Sequence, residues 1–470
     1  MMTAEADMKR REFLLYASSL GSSAAVALGP AAALASARPC KAKLACPKFY
    51  WGVGIENCWI AQTDPVKDGN RRLLDVFLQM QHYEKWKEDL DRVAEVGANT
   101  IRYSVPWYIA EPKPGVYDWS WIDKPIDYLV NKLKIVPIMD LIHYGTPKWM
   151  ADGVIDERFP EAIAKYAHAM AMHFRGLVNH YTPHNEPQIT AMLCGLKGTW
   201  PPYQRSIESW ARIGVRVAKG IVLETEAIRG ALPDSVIVSV DASVSYFMDQ
   251  VLSSGSPQDP QNQELRNAAA FYPVSLAYGK VRGGHPLAAY LTDHGVAPTD
   301  LEWFQKRTQV PDILGYNKYP AIQLPERAGD SGKKDASRLR DAARRAADEV
   351  KHGLRNAQAY FHLPVYLTET SSGLTPEVRV AYIHALSEMV RELRQEQVPI
   401  VGLNWWPLFE TIQWDYRDVV DKPLVSFIRP GGWNNGLWRI EAQSNGDLKR
   451  IPTEAAQAYA EVIRRDLKRY

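Results

Sequence analysis

Residues 99–142 read "NTIRYSVPWYIAEPKPGVYDWSWIDKPIDYLVNKLKIVPIMDLI", and this stretch decides the fold class. "NTIRYSV" (99–105) is a β-branched, apolar run of strand length. "SWIDKPIDYLVNKL" (120–133) carries apolar residues at helical spacing, and "IVPIMDLI" (135–142) is apolar on both faces, as a buried parallel strand requires.

The same alternation extends in both directions. Upstream, "FYWGVG" (49–54) predicts a strand, and "YEKWKEDLDRVAEVG" (83–97) an amphipathic helix ending at Gly97. Downstream helices are predicted at 160–178, 209–231, 336–361, 376–395 and 453–467. The intervening strands fall within 180–189, then at 235–243, 311–320, 364–370 and 399–409. Within 180–189 ("HYTPHNEPQI"), Glu186 precedes Pro187, which favours an extended backbone at the end of a strand. Eight strands alternating with helices predict one α/β domain, a (β/α)8 TIM barrel with loop insertions at 60–82, 253–263 and 325–335. A doubly wound sheet would also alternate, but no glycine-rich phosphate fingerprint follows the first strand.

Bulk composition narrows the partners. The net charge is +2 and no long Lys or Arg run occurs, which argues against nucleic acid and acidic membrane surfaces. The 15 Trp and 23 Tyr supply flat apolar faces with polar edges, a surface that sugars use and that cores also use.

Residues 1–37 stand apart from the fold. Arg10-Arg11, an apolar stretch and Ala35-Ser36-Ala37 make a twin-arginine signal peptide with cleavage before Arg38. The expected mature domain is 38–470, periplasmic or secreted, with no permanent membrane anchor. Cysteines stand at 40, 46, 58 and 194, and an oxidising compartment would permit disulfides among them, with the pairing open.

In a barrel of this kind the chemistry collects at the C-terminal strand ends. Those ends carry Arg102 and Trp107, His143, Asn185 and Glu186, Asn317 and Tyr319, Glu369, and Trp405 and Trp406. Glu186 and Glu369 end strands four and seven, which face each other across a barrel. Paired carboxylates are the groups that glycoside hydrolysis needs. His143 and His184 raise the question of a metal, but no H-E-x-x-H or comparable cluster exists, so neither metal nor cofactor is expected.

In sequence order the chain resembles a family 1 glycoside hydrolase, of the β-glucosidase type within clan A, from about residue 49 to 465. "IRYSVPW" resembles the family's R-x-S-x-x-W, "LIHYGTPKWM" its L-x-H-W-D-x-P-x-W and "PHNEP" its N-E-P. "ILGYNKY", "YLTETSSG" and "NWWPLFETIQW" are similar to its F-x-G-x-N-Y-Y, I-T-E-N-G and W-S-x-x-D-N-x-E-W. The resemblance implies a retaining β-glycosidase acting on a glycoside or oligosaccharide. Glu369 would be the nucleophile, supported by Arg102 and Tyr319, and Glu186 the general acid. Asn185 would hold the sugar 2-hydroxyl and His143 another hydroxyl. Trp406 would be the floor under the ring, with Asn317, Trp59, Trp405, Gln413 and Trp414 as further substrate-binding candidates.

Departures from the family pattern concern the sugar grip. Trp59 stands where the family has Gln, Gln413 where it has Glu, Tyr144 where it has Trp, and Pro183 where it has Thr. The expectation is therefore a glycone other than plain glucose or galactose. An endo-acting clan A glycanase or transglycosylase is the alternative enzyme, and a non-catalytic glycan-binding barrel the alternative of another class.

Overall fold

The structure is a computed structural model that describes residues 47–60, 69, 71–242, 260–322, 332–372, 375–428 and 435–467. The side chains of 59–60, 260–262 and 332–335 lie outside the description. So do the expected signal peptide (1–37), Cys40, Cys46 and parts of the three insertions, 61–68 and 70, 253–259 and 325–331.

Eight parallel strands close a barrel: β1 (Tyr50–Ile55), β2 (Thr100–Ser104), β3 (Val136–Asp140), β4 (His180–Thr182), β5 (Val236–Ala242), β6 (Ile313–Asn317), β7 (Val365–Thr370) and β8 (Ile400–Trp405). Each strand pairs with its sequence neighbours, and β8 pairs with β1 through Tyr50↔Gly402 to Val53↔Trp405. Tyr50, Ile138, Val236, Val238, Ile313 and Tyr366 form a cluster of their own. They come from five strands, so they fill the barrel interior, as side-chain layers do in this fold.

The outer helices form where the apolar spacing places them. Helix His82–Glu95 ends beside Gly97, whose φ of +74° supplies the left-handed residue that closes a helix. Ser206 caps Ile207–Ala231 by accepting from the Ser209 amide at 3.1 Å. Helix Gly332–Phe361 buries Ala343, Ala346, Ala347, Val350, Leu354, Ala357 and Phe361, one stripe at intervals of three and four.

Three features differ from expectation. Among its described residues the link from β5 to β6 holds four short helices, at Pro260–Ala270, Tyr272–Ala277, Pro286–Asp293 and Pro298–Lys306. Trp438–Ala442 and Leu448–Pro452 pair as an antiparallel hairpin outside the barrel. Strand β4 has only three residues, because Pro183 has no N–H for the ladder. The chain rejoins the sheet two residues later, where Asn185 N–H donates to Ile142 and Glu186 N–H to Val240, both at 3.0 Å.

Glu186 itself corrects the extended-backbone expectation. Its φ is 42° and ψ 61°, and helix Pro187–Ala191 begins on the next residue. The chain must turn from strand to helix within one residue whose amide is already tied to Val240. Such a left-handed non-glycine residue costs about 1–3 kcal/mol, a strain typical of functional sites.

Candidate active site

Arg102 is the centre of the site and is wholly buried. Standing mid-strand on β2, it reaches three neighbours across the barrel. Its Nη1 donates to Glu369 Oε1, and its Nη2 donates to Asn185 Oδ1 at 2.9 Å and to Asp140 Oδ2 at 3.2 Å. Glu56 Oε1 lies 3.3 Å from Nη1. Burial opposes the guanidinium charge, but Glu56, Glu369 and Asp140 outweigh it and raise its pKa.

Glu369, on β7, also accepts from the Tyr319 phenol at 2.5 Å. Glu186 accepts from Asn317 Nδ2 at 2.8 Å on Oε1 and from the Tyr144 phenol on Oε2. Asn317 and Tyr319 are two residues apart at the end of β6 and hold one carboxylate each, so both carboxylates flank the same cleft. Their surroundings differ. Glu369 has a cation against it, whereas burial and then the Glu369 charge push the Glu186 pKa up to about 7, against the two hydrogen bonds that lower it.

Asp140 fixes the imidazole of His143 through Nδ1 at 2.7 Å. Burial works against charge on His143, but the Cys58 sulfur and Asp140 hold its pKa well above the usual imidazole value. Asn185 has its oxygen committed to Arg102, and its Nδ2 faces His143 Nε2 at 3.4 Å. Its amide hydrogens are therefore its remaining donors toward a ligand.

Glu56 is a further carboxylate of the site, beside Glu186, Glu369 and Asp140. It accepts from the Trp406 indole N–H at 2.8 Å. The backbone at Gly54 makes room for this contact: a Cβ there would come within 2.5 Å of both Glu56 Oε2 and Trp406 Cδ1. Burial, opposed by Arg102, raises the Glu56 pKa to about 8. Glu56, Cys58, Trp406 and Trp414 line a cavity together with apolar Val76, Phe77 and Met80 and polar His82, Asp89 and Arg450, and neither Glu186 nor Glu369 borders it.

The aromatic candidates separate. Trp406 is 4% exposed and packs edge-on to Tyr319, with ring centroids 5.9 Å apart. Trp414 belongs to a trio with Trp200, at 5.9 Å, and Tyr144, which is 4.7 Å from Trp200. Trp405, expected to bind substrate, lies elsewhere: its ring packs on Tyr382 and Tyr459 of the outer helices, and its indole donates to Asn435 O. Alternation along β8 sends Trp405 away from the face that Trp406 occupies. Asn317 supports Glu186 and also accepts from Thr368 at 2.7 Å, a scaffold contact as much as a site contact. Gln413 is half-buried, and its Nε2 has no hydrogen-bond partner among the described residues. Only the backbone of Trp59 is described, paired with Asp75. Trp107 is buried and donates to Glu111.

His184 is buried against Thr190, and burial, aided by the His143 charge, lowers its pKa to about 3. Among the described residues no group of three or more His, Cys, Asp or Glu side chains is placed to hold a metal, and Cys58 and Cys194 are free thiols. No helix of the described residues is long and apolar enough to cross a membrane. Sequence reasoning did not single out Glu56 and Asp140, and it noted Tyr144 only as a departure. Asp140 had one legible signal, its place at the last residue of a strand, three before His143.

A family model, "Glycosyl hydrolase family 1", matches residues 62–466. The chain is 23% identical over 362 residues to a 1,4-beta-D-glucan glucohydrolase of Thermotoga neapolitana, covering 71% of this chain and 82% of the relative. It is 21% identical over 436 residues to the aryl-phospho-beta-D-glucosidase BglC of Bacillus subtilis, covering 82% and 87%. Among solved structures, a beta-glucosidase from Thermotoga maritima in complex with galacto-hydroximolactam superposes with TM-score 0.65 at 18% identity, covering 90% of this chain and 99% of that one. At that identity the likeness speaks for the barrel alone.

Proposed function

The chain belongs to glycosyl hydrolase family 1 and is a glycoside hydrolase, and from that premise we propose that it is an exported, retaining β-glycosidase. Glu369 attacks the anomeric carbon and forms a glycosyl ester, while Glu186 gives its proton to the departing oxygen. Glu186, now a carboxylate, then takes a proton from water as that water attacks the ester, which regenerates both groups. The supporting observation is the opposite surroundings of the two carboxylates. Glu369 lies against the Arg102 cation and the Tyr319 phenol, which suits a nucleophile. Glu186 is buried, with a pKa raised to about 7, which suits an acid working near neutral pH.

Two finer points belong to the same proposal. Export rests on Arg10-Arg11 and Ala35-Ser36-Ala37. A glycone other than plain glucose or galactose rests on Gln413 and Trp59 at positions where ring-gripping Glu and Gln are expected. Proton NMR of the first-formed sugar tests the mechanism, with the β-anomer expected from a β-glycoside. An α-anomer as first product would overturn it. A panel of aryl β-glycosides, with aryl phosphoglucosides included because one relative is named for them, would identify the glycone.

A further inference from the structure

We propose that Tyr144 is a positioning residue for Glu186: its phenol selects Oε2 as the oxygen that carries the proton and stabilises the carboxylate left when that proton departs. The inference rests on the reading of Glu186 as general acid and adds a residue to it.

The backbone supplies the first observation. Tyr144 and Glu186 are both non-glycine residues at positive φ, 78° and 42°, a conformation few such residues adopt. Their side chains meet, the Tyr144 hydroxyl donating to Glu186 Oε2. Two strained turns, after β3 and β4, therefore converge on one hydrogen bond.

The second observation concerns the other oxygen. Asn317 Nδ2 donates to Oε1 at 2.8 Å, while the amide oxygen of Asn317 accepts from the Thr368 hydroxyl at 2.7 Å. An NH2 group can only donate, so Oε1 remains an acceptor and the acidic proton belongs on Oε2. A phenol both donates and accepts. With Glu186 protonated, the Tyr144 oxygen accepts from Oε2–H. When the glycosidic bond breaks, its electron pair stays on the leaving oxygen, which takes the proton from Oε2. The Tyr144 O–H then turns to donate to the new carboxylate. That bond becomes charge-assisted only as the proton leaves, so it favours the transition state over the ground state.

Packing keeps the phenol in place. Its ring lies 4.7 Å from Trp200, 4.8 Å from His143 and 6.1 Å from Trp414. Burial and the neighbouring Glu186 and Glu369 charges hold the phenol pKa well above its usual value, so it keeps its own proton. The other groups facing Glu186 are Glu369, His143, Asp241 and Tyr319. All of them remain in a Tyr144→Phe variant, which removes one oxygen and leaves the ring.

The experiment is ¹³C NMR titration of the Glu186 carboxyl in wild type and Tyr144→Phe, with pH profiles of kcat/KM on phenyl and 2,4-dinitrophenyl β-glucosides. Loss of a donor to the carboxylate should move the Glu186 titration, and the alkaline limb with it, to higher pH. Turnover of the phenyl glucoside should fall by about 10- to 100-fold, the range for a hydrogen bond to a charged group. The dinitrophenyl glucoside, whose leaving group needs no proton, should change little. An unmoved titration, or an equal fall on both substrates, would overturn the proposal. A wild type that cleaves neither glucoside would agree with a glycone other than glucose, and the titration alone would then decide the role of Tyr144.

Discussion

Replacing Glu56 with glutamine should make the protein progressively more stable than wild type as pH rises. Around the Arg102 guanidinium stand Asp140, Glu369 and Glu56, three carboxylates for one guanidinium, so carboxylate charge is in surplus there. The Glu56 side chain is completely buried, and its pKa rises from 4.5 to about 8, with burial the larger cause and Arg102 opposing it. A folded-state value above the unfolded one contributes stability in full below the unfolded value. That contribution is lost as pH climbs through the folded one. The span from 4.5 to about 8 corresponds to roughly 5 kcal/mol at about 1.4 kcal/mol per pH unit. Unfolding entropy near 2.1 cal/mol/K per residue over 470 residues gives about 1 kcal/mol per degree, so the effect is about 5 °C in Tm. Glutamine keeps an acceptor for the Trp406 indole and removes the ionisation. Thermal unfolding of both proteins from pH 4.5 to pH 9 should show the variant gaining on wild type by about 5 °C across the range. A difference that stays constant or shrinks would show that Glu56 is ionised throughout, and the charge balance drawn here would be wrong.

Glu369→Gln should nearly abolish turnover, and Glu186→Ala should lose about 10²- to 10⁴-fold on poor leaving groups. Azide should restore part of the Glu186→Ala activity on dinitrophenyl substrates as a glycosyl azide, and its complete failure would count against Glu186 as acid and base. In wild type, kcat/KM should fall as pH rises through about 7, where Glu186 gives up the proton it must donate. A limb that first falls near pH 4.5, the ordinary value for a glutamic acid, would place the acid elsewhere. Gln413→Glu should raise activity on aryl β-glucoside, because a charged acceptor gains about 1–2 kcal/mol over a neutral amide against sugar hydroxyls; no gain would put Gln413 in the scaffold. N-terminal sequencing of native material should begin near Arg38, and a chain beginning at residue 1 or 2 would rule out export by cleavage.

The sequence by itself determined the barrel, because helices and buried strands write their periods into adjacent residues, as in 99–142. It also placed Arg102, Asn185, Glu186, Tyr319 and Glu369 together, since strand order in a closed barrel converts chain position into position around one mouth. Only the tertiary structure decided what those residues touch. Glu56 directly follows β1, with nothing in its own letters to mark it, and its burial against Arg102 and Trp406 depends on β2 and β8 arriving on either side of β1. Trp405 and Trp406 are indistinguishable as letters, and the direction of one strand's pleat turned the first to the helices and the second to the cleft. Glu186 read as extended because local sterics before proline favour that state. Its left-handed turn is imposed by bonds to Ile142 and Val240 that close over long chain separations, and a local rule has no access to those.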